Sequence, residues 1–549
     1  MVYSFDIFDT CLVRKCGTTS AFFDILASRV FDNDVSASVR LEFISNRKEA
    51  ENRCSVNPQS TIKDIYDVFD FCYSGLHTNE LLVRDEISLE EEMLVPVLDI
   101  REKITSLRNK GNSILFISDM YLPSEVLAPI LRKYDLLKDG DGLYISCEVG
   151  QSKSTGALYE YVHNKENIPY NQWKHYGDNY LSDYVNAKRF GIKSHLVKYG
   201  YSPYSSVWQM QSVGSNCAGL LSSLSRTYCL NTCANERTAL IVDIIAPFYC
   251  SIVYLILCDA KSKGFTDLFF CARDTFYMYK IAQSYQSLFP DIKLHYLRIS
   301  RDALYKGNRE AGLLYFVQEG FASNDKQCAL VDMTSTGKTL THLNSMFDAN
   351  GFSQIFGYFV FKYDKGADEA LGPDMYYCFF RQNLTALDYK YANVFDHLTF
   401  IENFFSTNTE LRTVNYEIIN GEAVPVLGKD DGETSSYQPN AEKWCPYYEK
   451  LICQYVSDFL LLNLHEHSDV VLSEYIFPTL CNFLFAPDRK YLEGVRDFLI
   501  FKDGAFVPYV KDESFVRLLH TRGKDSGWSR GTLTYNLPSF VTTFLKHLR

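Results

Sequence analysis

Between Met1 and Asp183, four short apolar runs each lead into a polar side chain of a different kind, and this limits the possible fold more than any other feature of the chain. Val2 to Phe8 carries Asp6-Ile7-Phe8-Asp9-Thr10 at its end, and Ser113 to Ile117 ends in Ser118. A run over 143–147 precedes Gln151-Ser152-Lys153-Ser154-Thr155-Gly156. Another over 174–177 lies in His175-Tyr176-Gly177-Asp178-Asn179, with Asp183 five residues after Asp178. Short apolar runs separated by helical stretches read as buried strands of a parallel sheet. Side chains that leave such strands at one end gather at the carboxyl edge of the sheet. The first domain is therefore expected to be α/β.

In order and spacing these segments resemble motifs I to IV of the haloacid dehalogenase (HAD) superfamily, with Gly177-Asp178 and Asp183 as the G-D-x-x-x-x-D of motif IV. The resemblance implies a Rossmann-like phosphatase domain over 1–200 with a helical cap at about 18–108 that closes over the substrate. It implies Asp6 as the nucleophile that attacks phosphorus, and Ser118 and Lys153 as donors that hold the phosphoryl oxygens. It also implies Mg²⁺ held by Asp6, Asp178, Asp183 and the backbone carbonyl of Phe8. Inside the cap, Asp85-Glu86 and Glu90 to Glu92 are expected to form a solvated helix face. The sequence departs from the family at Phe8. Most HAD phosphatases carry a second Asp there as general acid, whereas dehalogenase-type members carry an aromatic. Asp9 is the nearest substitute proton donor; the competing reading makes it a turn residue bonded to its own backbone.

At 549 residues the chain has room for two or three domains. A net charge of -12 and a pI near 5.5 argue against a nucleic-acid surface. The 16 cysteines are scattered with no CxxC pair, as in reduced thiols of a cytoplasmic protein. The first ten residues already form a motif-bearing strand, so no signal peptide is expected. Ala239 to Cys258 is apolar enough for a membrane helix, but Asp243 and Pro247 inside it favour a buried one. Residues 201–235, which are rich in Ser, Tyr and Gly, read as a linker.

A second strand-turn-helix lies at Cys328 to Leu340. Four apolar or small residues lead to Asp332, and Thr334-Ser335-Thr336-Gly337-Lys338-Thr339 opens an amphipathic helix bearing Leu340, Leu343, Met346 and Phe347. Backbone N–H groups at such a turn converge on anions. A nucleotide P-loop would need glycine where Asp332 stands. The stretch more closely resembles the loop of type I phosphoribosyltransferases, in which the acid binds the ribose hydroxyls of phosphoribosyl pyrophosphate (PRPP) and the turn holds the 5-phosphate. Val331 replaces the first acid of the family's usual pair, and Ser335 stands where purine-salvage members have their base. Upstream, Leu268–Cys271 reads as a strand, Ala272–Thr275 as a turn, Phe276–Leu288 as a helix and Lys293–Ile299 as a strand. On this resemblance Arg273, Arg298 and Arg301 would contact the pyrophosphate, and Asp274, then Asp302, would serve as base. An ordinary surface ion pair is the alternative for each arginine.

The expected order is thus a HAD domain, a phosphoribosyltransferase-like α/β domain over 236–384, and an α+β region over 385–549. That last region has helices Tyr447–Leu462 and Glu474–Leu484, hairpins Val414–Val426 and Phe498–Val510, and a polar loop from Asp430 to Asn440. Its aromatic residues line either a sugar-acceptor groove or an ordinary core. The pairing of domains resembles bacterial dual-domain ribofuranosyltransferases of surface polysaccharide assembly. It implies transfer of 5-phosphoribosyl from PRPP to a glycan acceptor, a lipid-linked intermediate at the inner face of the membrane, followed by removal of the 5-phosphate to leave β-ribofuranose. An enzyme using PRPP with a small acceptor, and a binding protein with both sites degenerate, are the alternatives.

Overall fold

The computed structural model describes residues 1–537 except 32–34, 74–76, 212–215, 233–235, 322–325, 364–370, 383–388, 407–408, 429–440, 497, 503–504, 515–516, 519–520, 523 and 527. The polar loop expected at Asp430 to Asn440 lies outside these. The chain divides into two compact units, Met1–Ala234 and Asn235–Arg549.

In the first unit five parallel strands lie in the order Gly142–Ile145, Ser113–Ser118, Val2–Phe5, Trp173–Gly177 and Lys193–Leu196. The strands are apolar because helices cover both faces of the sheet; five of the six residues in Ser113–Ser118 are buried. The direction of winding reverses between Val2–Phe5 and Trp173–Gly177, which is where a parallel sheet opens a crevice at its carboxyl edge. Val2–Phe5 is shorter than the run to Phe8 suggests. Asp6 N–H still reaches Tyr176 O at 2.8 Å, and then Cys11 and Leu12 N–H both turn back to Ile7 O.

Helices Thr19–Val30, Ala37–Cys54, Ile62–Asp67 and Asn79–Met93 form the insertion, which closes on a ribbon of Leu12–Arg14 and Leu94–Pro96. Leu98–Asn109 follows the ribbon and packs on Ser113–Ser118, so the final part of the stretch expected to be cap belongs to the core layer. The expected solvated face in the cap is corrected at Glu86 and Glu90, while Glu91 and Glu92 are exposed as expected. Glu86 and Glu90 are fully buried; Arg47 reaches Glu86 at 2.6 and 2.9 Å, and Arg14 holds Glu90 at 2.5–3.0 Å. The partners come from residues 39 and 76 positions away, so the helix's own pattern could not reveal them. Two stretches of the expected linker at 201–235 are helical instead. Pro203–Gln211 and Asn216–Asn231 belong to the first unit, where Leu220, Leu221, Leu224 and small Ser222 and Ser223 are buried. A methyl group on Gly17 (φ +77°) would lie 2.0 Å from Ser223 Oγ, so a glycine is needed at this approach.

The second unit repeats the parallel plan in the order Tyr376–Arg381, Phe356–Lys362, Cys328–Ser335, Asp267–Cys271 and Lys293–Leu297. Here the winding reverses between Cys328–Ser335 and Asp267–Cys271. The apolar helical segment Arg237–Ser262 is long enough to cross a membrane, yet 89% of its apolar window is buried within the fold. It bends through a π-turn at Ile241–Ile245 just before Pro247, and Asp243 is bonded by Tyr491. Helices Ala441–Leu461 and Phe477–Phe485 and hairpins Arg412–Ile419/Glu422–Gly428 and Leu499–Lys502/Ala505–Pro508 complete it. Tyr448, Tyr455, Tyr491, Tyr509 and Trp528 are buried core, not groove. Among the described residues every cysteine is a free thiol.

Candidate active sites

In the first unit the four predicted segments converge. Lys153 Nζ lies 2.6 Å from Asp6 Oδ1 and 2.7 Å from Asp183 Oδ1, with all three side chains nearly enclosed. Oxygens of Asp6, Asp178 and Asp183 lie within 4.8 Å of one another, an all-oxygen set that suits a hard divalent cation such as Mg²⁺. Gly177 makes the cluster possible, because a Cβ there would lie 2.3 Å from Asp183 Cγ. Asp6, Phe8, Asp9, Ser118, Lys153, Asp178 and Asp183 all line one cavity of about 240 Å³.

The acids do not share one electrostatic state. Burial pushes the Asp6 carboxyl up to about 7 against the pull of Lys153. Asp183 resists the same burial because Lys153 and His175 hold it well below the ordinary carboxylate range. Lys153 is buried too, but Asp6 and Asp183 push its ammonium above the ordinary lysine range.

A chain of hydrogen bonds behind the site fixes Asp183, and sequence reasoning missed it. Trp173 Nε1–H donates to Ser4 Oγ at 2.7 Å, and Ser4 pairs with His175 Nδ1 at 2.8 Å. His175 Nε2 then meets Asp183 Oδ1 at 3.1 Å, and Asn179 N–H donates to Oδ2 at 3.0 Å. Burial lowers His175 against the pull of Asp183. The network then assigns its proton to Nε2, with Nδ1 accepting from Ser4. The alternation of Trp173, His175 and Gly177 on one buried face of their strand was the available signal. Asp119, next to Ser118, was also missed; it accepts the N–H groups of Lys153 (2.7 Å) and Ser154 (3.1 Å) and sets the lysine's loop.

Asp9 sits at φ +50°, a left-handed turn position, and burial raises its carboxyl despite Arg14. The Phe8 ring lies under the Arg14 guanidinium at 4.8 Å. Asp178 is raised by burial and by Asp9, and accepts from Thr10 Oγ1 at 3.5 Å.

In the second unit the turn is shorter than expected. Thr334 and Ser335 continue the strand, pairing with Phe361 and Lys362, because apolar Met333 and small Ser335 point into the fold. Thr336 and Gly337 make the turn, and Lys338 and Thr339 begin the helix Lys338–Asp348. Gly337 takes φ +94°, its N–H donates to Ser335 Oγ at 3.1 Å, and Lys362 Nζ donates to Thr336 O at 3.2 Å.

At the reversal point stand Asp332 and Asp274, joined by Glu402, a residue that the sequence did not single out. Thr334 Oγ1 donates to Glu402 Oε2 at 3.0 Å, and Glu402 shares a hydrogen bond with the Asp274 carboxyl. Burial and Asp274 push Asp332 to about 7, and the same two causes drive Glu402 well above its usual value. Glu402 comes from helix Leu398–Phe405, far along the chain, where a lone acid in an apolar helix gave little signal.

The arginines scatter around this cluster. Arg273 has left-handed φ +73° and its N–H donates to Tyr296 Oη at 2.7 Å. Arg298 pairs with Glu410 and lies over the Tyr296 ring. Arg301, at the surface, opens helix Arg301–Tyr305. Asp302 is paired with Arg412 and Lys306.

No family model matches the chain, and no curated protein matches it. Among solved structures, a HAD family enzyme from Bacteroides thetaiotaomicron aligns at TM-score 0.29 and 12% identity over 38% of this chain and 97% of its own. A HAD phosphatase from Thermococcus onnurineus aligns at 0.28 and 17% over 36% and 86%. The wild-type Bacteroides enzyme in complex with magnesium and inorganic phosphate aligns at 0.27 and 13% over 37% and 96%.

Proposed function

We propose that the first unit is a HAD-type phosphatase with Asp6 as its nucleophile, and that the second transfers 5-phosphoribosyl from PRPP to a glycan acceptor. The observation that carries the phosphatase reading is the convergence of Asp6, Lys153, Asp178 and Asp183 at the reversal point of a parallel sheet. A carboxylate oxygen of Asp6 attacks phosphorus, the P–O bond to the alcohol breaks, and the alcohol leaves with a proton from Asp9. Ser118 and Lys153 hold the transferring oxygens. Water then attacks phosphorus and gives a proton back to Asp9 while the Asp6–phosphorus link breaks, freeing phosphate and restoring Asp6. Mg²⁺, which Asp6, Asp178 and Asp183 would hold together with the Phe8 carbonyl, supplies charge neutralisation on the phosphoryl group.

The transferase reading is supported by Asp274 and Asp332 at the second reversal point and by the Gly337 turn. In it, Asp332 binds the ribose hydroxyls, Arg273 the pyrophosphate, and Thr336 to Thr339 the 5-phosphate. Asp274 takes the acceptor proton as C1 inverts. Arg298, which already has Glu410 as partner, would have to exchange it for the ligand. The acceptor fits a lipid-linked glycan intermediate on the cytoplasmic face of the membrane. PRPP transfer to a small acceptor and a degenerate binding protein are the competing readings. Incubation with PRPP, Mg²⁺ and synthetic glycans separates them by product mass. A pentose adduct from wild type, phosphopentose from Asp6→Ala and none from Asp332→Ala are expected; intact PRPP with every acceptor would overturn the transferase.

A further inference from the structure

The relay from Trp173 to His175 occupies one face of the first sheet, and the opposite face carries a corner of different chemistry. Tyr3 and Lys174 are register partners, as are Lys174 and Lys193, so three neighbouring strands place a tyrosine and two lysines in one row. Phe5, Tyr176 and His195 form the next row on the same face. Their rings stack with centroids 5.1 and 4.6 Å apart. Lys174 Nζ lies over the Tyr3 ring at 5.2 Å, and Lys103 of helix Leu98–Asn109 reaches over the Tyr176 ring at 4.7 Å.

No acid neutralises these ammonium groups. Among the described residues Lys103, Lys174 and Lys193 form no ion pair with a carboxylate, although the chain carries a net charge of -12. Burial, then Lys193, Lys174 and Lys103, lower the His195 imidazole, so the three charges act at one spot. Like charges that face each other across a strand pair destabilise a sheet. Protection of the edge strand Lys193–Leu196 against pairing with another chain accounts for Lys193. It does not account for Lys174 on the inner strand or Lys103 on a helix. At physiological ionic strength charges are screened beyond about 8 Å, so an anionic surface that touches this corner meets the lysines and not the acidic remainder of the chain. Lysines attract such a surface as flexible point charges, without the planar fork with which arginine fixes a single phosphate. Half-buried tyrosine rings suit the level of lipid headgroups.

We propose that this corner docks the protein on an anionic phospholipid surface through Lys103, Lys174 and Lys193, with Tyr3 and Tyr176 at headgroup level. The test is co-sedimentation of the full chain with vesicles of phosphatidylcholine, and of phosphatidylcholine and phosphatidylglycerol in equal parts. Wild type is compared with the triple variant Lys103→Gln, Lys174→Gln, Lys193→Gln. A control triple of the same net charge, Lys63→Gln, Lys133→Gln, Lys165→Gln, removes exposed lysines elsewhere on the unit. Wild type should prefer the anionic vesicles, lose that preference in high salt, and bind them about fivefold less for each corner lysine removed. The control triple should bind as wild type does. Equal binding of wild type to the two vesicle types overturns the docking, as does an equal loss in the control triple. Binding to polyglutamate that the first triple abolishes, with no binding to vesicles, also overturns it and makes an acidic protein segment the occupant. If the first triple does not fold, the single variants Lys103→Gln and Lys193→Gln, both at exposed side chains, decide.

Discussion

Both units gather carboxylates at the reversal point of a five-stranded parallel sheet, but they compensate them differently. In the first, the Lys153 ammonium sits between Asp6 and Asp183 and a relay from Trp173 to His175 holds Asp183 still. In the second, Thr334 Oγ1 donates to Glu402, the positive charge of Arg301 acts on Asp332, and Arg298 is engaged by Glu410. The first crevice is thus organised before a phosphoryl group arrives. The second holds its acids with a hydroxyl donor and a surface arginine rather than a buried ammonium.

The largest test of this contrast is Asp6→Asn, which should lower phosphate release on the order of a thousandfold or more while leaving pentosyl transfer intact, both read by product mass. Equal loss of the two activities would break the separation of the sites. Lys153→Met should reduce phosphatase kcat roughly 10²- to 10³-fold, because it removes a donor and leaves two buried acids facing each other; assay at saturating Mg²⁺ checks this. Gly177→Ala drives a methyl group into Asp183 and should destabilise the first unit by about 1–3 kcal/mol, measured by urea unfolding. A neutral result would mean that Asp183 can move.

The smallest effect concerns pH. Asp332 is raised in the fold, so below the unfolded carboxylate value of about 4 it is protonated in both states and costs nothing. As pH climbs from there towards the folded value of about 7, the native state keeps a proton that the unfolded chain has released, and stability falls until Asp332 ionises in the fold as well. Asp332→Asn should therefore raise the melting temperature of the second unit by a few degrees at pH 8, and the gain should shrink on acidification and vanish below about pH 4. A gain that is the same at both values would show that Asp332 carries no buried charge.

The sequence made the first crevice legible because each polar group sits within a few residues of its strand, so strand order alone brings them together. The segments of the second that carry Asp274 and Asp332 were legible for the same reason. What escaped came from distant helices or from the sheet interior. Glu402 enters from a helix 70 residues beyond Asp332. Glu86 and Glu90 look like surface charge until Arg47 and Arg14 fold onto them, and a buried bidentate pair has no periodicity of its own. The segment at 201–235 misled by composition, since Ser202, Ser205, Ser222, Ser223 and Ser225 are buried packing residues, with Ser223 at the close approach of Gly17.

The most direct test of Asp6 as nucleophile is rapid acid quenching of wild type during turnover of a sugar phosphate with Mg²⁺, followed by mass analysis of the peptide that spans Asp6. One phosphoryl group on Asp6, absent in Asp6→Asn and after removal of Mg²⁺, is the expected result. Phosphate release at full rate with that peptide unmodified at every quench time would contradict it.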